Sequence, residues 1–82
     1  MTRMTVENLS PQTTVASLNE LFSAFGAVRS VNLATDIMTG RCGGFAFVNL
    51  YEHEAGAAVF ALDGTNLDGR ILRVSFEQRK NP

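Results

Sequence analysis

Residues 43–50 read GGFAFVNL. Taken as a strand, this stretch sets Phe45, Phe47 and Asn49 on one face and Ala46, Val48 and Leu50 on the other, because side chains alternate with a period of two. The aliphatic set reads as core. The aromatic set leaves two phenylalanines on the opposite surface, where something other than the protein interior has to complete their packing.

The flanking sequence alternates between the periods of strand and helix. On the N-terminal side RMTVENL, residues 3–9, puts Met4 and Val6 on one side and Arg3, Thr5 and Glu7 on the other, and Ser10–Pro11 ends the run. From Thr14, an N-cap residue type, Val15, Leu18, Leu21, Phe22 and Phe25 form a helical stripe that stops at Gly26. A second strand follows with Val28, Val31 and Leu33 inward and Asn32 and Ala34 outward. DIMTGRCGG then reads as a mobile loop holding Cys42 as a bystander thiol. Beyond the quoted strand, EHEAGAAVFALDG places Ala55, Ala58, Val59 and Leu62 on one helical face, with Phe60 nearly opposite, and ends at Gly64. After the turn TNLDGR, the segment ILRVSF is expected to bury Leu72, Val74 and Phe76 while turning Arg73 and Ser75 out.

The resulting order is βαββαβ. The fold class is therefore α+β: a ferredoxin-like sandwich, a four-stranded antiparallel sheet with two helices on one face and the other face open. The first and third strands are central in that topology, so Thr5, Glu7, Phe45, Phe47 and Asn49 are expected to meet in the middle of the open face.

Composition narrows the function classes. The 82 residues suffice for one domain, and 45% apolar content supplies a core without staples. A single cysteine and a single histidine leave no disulfide and no Cys/His metal set, so neither metal nor cofactor is expected. His53 reads as a surface residue. There is no signal-like or membrane-spanning apolar run, which points to a soluble, cytoplasmic protein without membrane attachment. Net charge is −1, so a polyanion would have to be met by a local patch.

These residues resemble the RNA recognition motif family from about Met4 to Gln78, and in particular its small stand-alone single-motif RNA-binding proteins. The family's octamer matches at Gly44, Phe45, Ala46, Phe47 and Val48, and its hexamer matches MTVENL at Met4, Val6, Asn8 and Leu9. LNELFSAFG, DIMTGRCGGF and LDGTNLDGRILRV complete the resemblance. It implies one domain over 1–82, with a core of about 4–78 and a short tail at 79–82, acting as a non-enzymatic monomer. It also implies single-stranded RNA as partner, bases stacking on Phe45 and Phe47 because every base has a π-face. The implied RNA-binding set is Phe45, Phe47, Thr5, Asn49, Arg3, Glu7, Arg41, Arg73, Ser75, Gln78, Arg79 and Lys80. Within it the arginines and Lys80 would hold phosphates, and Glu7 would accept from base amino groups. Arg29 and Arg70 read as solvated charges.

Two positions depart from the family. Thr5 stands where the hexamer carries a ring, and Gly43 stands where the octamer carries a basic residue, which predicts modest affinity or a changed ligand. An alternative within the family is a protein-interaction module using the sheet or Phe60 on the second helix. An enzyme of acylphosphatase type would need an arginine in a glycine-rich loop after the first strand, and NLSPQTT has neither.

Overall fold

The structure, a computed structural model, describes residues 2–77. It contains β1 (Thr2–Glu7), α1 (Val15–Ser23), β2 (Ser30–Thr35), β3 (Cys42–Leu50), α2 (Glu52–Leu62), β4 (Asn66–Leu67), β5 (Arg70–Ile71) and β6 (Arg73–Phe76). β2, β3, β1 and β6 form one antiparallel four-stranded sheet in that spatial order, with β3 and β1 central as expected. The inward residues Met4, Val6, Ala46, Val48, Leu50 and Val74 are buried with Leu18 and Phe22 of α1 and Ala55, Ala58 and Leu62 of α2, so both helices cover the same face. No helix among the described residues is long and apolar enough to cross a membrane.

Local chemistry sets the element ends. Thr14 caps α1: its hydroxyl accepts from the Ser17 amide at 3.1 Å and the Ser17 hydroxyl accepts from the Thr14 amide at 3.1 Å, satisfying donors the helix itself cannot. The helix closes at Ala24, short of Gly26. Alanines at 55 and 58 form the contact face of α2, and small side chains there let the helix axis approach the sheet. Glu52 and Glu54 in its first turn complement the helix dipole. At the exposed margin of the sheet, the Val74 amide of β6 donates to the Asp63 carboxylate at 2.9 Å, which removes a free donor from an edge strand.

Three features differ from the sequence reading. Cys42 is the first residue of β3 and is buried, 7% exposed, rather than a loop thiol. Between the Leu33–Ala46 and Thr35–Cys42 pairs, β2 advances by two residues and β3 by four, so Gly43 and Gly44 form a bulge, and because both offsets are even Cys42 keeps the inward parity of Ala46, Val48 and Leu50. Gly44 has φ 101°, which favours glycine, and a Cβ on Gly43 would sit 3.3 Å from the Ala34 carbonyl oxygen. A side chain at Gly43 would therefore require the β2 backbone to give by a few tenths of an ångström.

The segment expected as a plain turn contains the β4–β5 hairpin, closed by Asp68 (φ 52°) and Gly69 (φ 84°), the two left-handed residues that a tight hairpin of this twist requires. Phe76, expected in the core, is 44% exposed: it ends the edge strand with a cross-strand neighbour, Met4, on one side only. The DIMTGRCGG connection is closed by backbone hydrogen bonds from the Asp36 amide to the Arg41 carbonyl and from the Gly40 amide to the Asp36 carbonyl, both 2.8 Å.

Candidate nucleic-acid interface

The open face is built by the strand registers, which lay its side chains out in rows. Ser30, Asn49 and Arg3 occupy the first row, with Glu77 beside Arg3 through a 2.9 Å bond from its amide to the Arg3 carbonyl. Asn32, Phe47, Thr5 and Ser75 form the second row, and Phe45, Glu7 and Arg73 the third. Phe45, Phe47, Asn49, Thr5, Glu7, Arg3, Arg73 and Ser75 thus share one surface. Gln78, Arg79 and Lys80 lie outside the described residues.

At the centre, the rings of Phe45 and Phe47 meet edge to face, with centroids 5.8 Å apart and planes at 79°. Such a pair is favourable in itself and fixes both rings. Phe45 remains 41% exposed at the surface. Phe47 is more enclosed, because the Arg3 guanidinium lies over its ring with Cζ 4.0 Å from the centroid. Arg3 is held there by an ion pair with Glu77, its Nε 3.1 Å from the carboxylate. The sequence places Arg3 on this face but contains no signal for which neighbour its long side chain covers.

Polar groups frame the rings. Asn49 donates to the Ser30 hydroxyl at 2.7 Å, which orients the outer end of the first row. Ser30 is absent from the sequence-derived set, although its alternation with Asn32 is the signal that would have included it. Glu7, Arg73 and Ser75, with Val74 and Asp63, line a depression of about 220 Å³ at the β6 margin. Arg41 lies away from the rows, exposed at the end of the β2–β3 connection, where its amide donates to Thr39 Oγ1 at 3.2 Å. Of the solvated arginines, Arg29 approaches the Tyr51 ring at 5.7 Å, and Arg70 reaches Asn8 Oδ1 at 3.4 Å. Asn8 itself, with φ 64°, ends β1 and donates to the Ile71 carbonyl at 2.7 Å, so this motif residue ties β1 to β5.

Arg3 and Arg73 are balanced on the sheet surface by Glu7 and Glu77. Attraction for a polyanion is weak across such a surface. Its distinctive chemistry is therefore a fixed aromatic pair in a polar frame. Among the described residues no group of His, Cys, Asp and Glu could hold a metal ion.

Residues 4–73 match the RNA recognition motif family. Protein elav of Drosophila melanogaster is 42% identical over 76 residues, an alignment covering 92% of this chain and 16% of that protein. The crystal structure of RNA binding protein PG1 superposes with a TM-score of 0.88 at 30% identity, covering 100% of both chains. The structure of the Rna15 RRM with bound RNA (GU) superposes with a TM-score of 0.85 at 25% identity, covering 98% of this chain and 86% of that one. The fold, the motif-bearing central strands and these matches agree: the chain belongs to the RNA recognition motif family, a family of RNA-binding domains rather than enzymes.

Proposed function

We propose that the open sheet face binds single-stranded RNA, with bases stacking at Phe45 and at Phe47. The observation that carries this reading is the exposed Phe45 ring, pinned edge-to-face by Phe47 in the middle of a polar sheet surface. A flat ring in that setting gains about 1 to 3 kcal/mol from one stacked base with little regard to its identity. The neighbouring polar groups, Glu7, Asn49 and Ser75 among them, supply acceptors and donors for base edges, while Arg41, Arg73, Arg79 and Lys80 are the phosphate contacts. The domain works as a cytoplasmic monomer, and the RNA-bound Rna15 relative supports the ligand class.

The test is titration of short single-stranded ribonucleotides into the parent and into Phe45→Ala, with thermal melts of both. The variant should lose about 1 to 3 kcal/mol of affinity and keep the parent melting temperature. Equal affinity in both proteins would refute stacking at Phe45.

A second reading is supported by Phe60, which is 92% exposed on α2, away from the sheet. A ring left in water there suits a protein contact. Phe60→Ser should abolish capture of such a partner without changing RNA affinity, and light scattering on the parent reports whether that partner is a second copy.

A further inference from the structure

We infer that the second stacking surface of this domain is the outer plane of the Arg3 guanidinium, seated on the Phe47 ring and held by Glu77, rather than the Phe47 ring itself. The inference rests on the RNA-binding reading and changes what one of its two platforms is made of.

The geometry assigns Arg3 in three steps. Its Cζ lies 4.0 Å from the Phe47 centroid, which is contact distance and well inside the range of about 6 Å over which a cation is attracted to a ring face. The side chain is nonetheless 44% exposed, so the group covering the ring is itself open to solvent. Glu77 engages Nε, which leaves both terminal nitrogens free of that contact. Glu77 is in turn fixed beside Arg3 by the 2.9 Å hydrogen bond that its amide N–H donates to the Arg3 carbonyl, so the clamp is built into the strand pairing.

Two further facts favour stacking over phosphate contact. The Arg3 charge is already partnered by a carboxylate, which reduces its attraction for a phosphate. Thr5, the next outward residue of β1, has no ring, so the broad flat group that β1 brings to the rings of this face is the Arg3 guanidinium. Guanidinium planes stack on nucleobases much as aromatic rings do. Lysine cannot replace arginine in that role, because its ammonium group is a point charge without a plane. Phe47 then serves as the floor that fixes the guanidinium plane, and Phe45 remains the directly exposed ring.

The experiment uses oligo(U), oligo(A), oligo(C) and GU-repeat ribonucleotides with the parent, Arg3→Lys, Arg3→Ala and Glu77→Gln, each at several salt concentrations and each checked by thermal melting. Arg3→Lys and Arg3→Ala should weaken binding alike, by about five- to a hundred-fold, with the slope of log affinity against log salt unchanged. Glu77→Gln should weaken it less. In the parent, the Arg3 Nε–H resonance should move upfield on binding, as it would beneath a base.

Parent-like affinity in Arg3→Lys, together with a slope reduced by about 0.7 in Arg3→Ala, would identify Arg3 as a phosphate contact and overturn the proposal. Tighter binding by Arg3→Ala would also overturn it, since Arg3 would then be a cover that the base must displace. If the parent binds none of the oligonucleotides, the RNA-binding reading itself fails. If the parent binds and Arg3→Lys binds equally well, only the composite platform fails.

Discussion

The two faces of the sheet are made by the same strands, read one residue apart, and they solve packing in opposite ways. Met4, Val6, Ala46, Val48 and Leu50 are each 0% exposed, and their neighbours in the chain, Thr5, Phe45, Phe47 and Asn49, stand on the surface. On the inner face, contacts are numerous, apolar and supplied by helices. On the outer face they are few, directional and local: an edge-to-face ring pair, a cation over a ring, an amide on a hydroxyl. The inner face therefore carries the stability, and substitutions on the outer face are free to change binding without unfolding the chain.

The sharpest way to break that division is Phe22→Ala. Phe22 is the largest fully buried side chain, and its removal should cost about 3 to 5 kcal/mol, which is comparable to the whole stability of a domain this small. Chemical denaturation should show a largely unfolded variant, with RNA binding lost as a consequence. On the outer face, Thr5→Phe should tighten RNA binding by up to about 1 to 3 kcal/mol at an unchanged melting temperature. Solution mass measured on the same sample separates this from self-association, in which mass rises and affinity stays flat. Thr14→Ala touches neither face: losing the cap should cost about 1 kcal/mol of stability and leave the affinity of the folded protein as it was. The smallest effect belongs to Arg73 and Arg41. Changing either to Gln should flatten the slope of log affinity against log salt by about 0.7 while leaving the melt unaltered.

The division between faces was largely legible in the sequence because it depends on parity, and parity survives small errors in strand ends. GGFAFVNL and RMTVENL identified the central pair and its outward residues, and Thr14 announced its helix through a side chain that caps the backbone locally. What stayed hidden depends on neighbours distant in sequence. Cys42 belongs to β3 because it pairs with Thr35 of β2 across a bulge, Phe76 is exposed because β6 ends at the margin of the sheet, and Arg3 leans over Phe47, its diagonal neighbour on the adjacent strand. The β4–β5 hairpin is a different case. Its signal, Asp68–Gly69, was present in the sequence, and the strands it joins are two residues each, too short for any alternation to show.

The bond from Asn49 to Ser30 has a consequence for the timing of binding. With Asn49 tethered, Phe45 wedged against Phe47 and Arg3 clamped, few rotors on this surface remain to be frozen when a strand of RNA arrives. The ordering cost of the complex then falls mainly on the nucleotides. Association should proceed as a single bimolecular step whose rate scales linearly with RNA concentration, without the plateau that a slow protein rearrangement imposes. Differences among RNA sequences should appear in how long each stays bound.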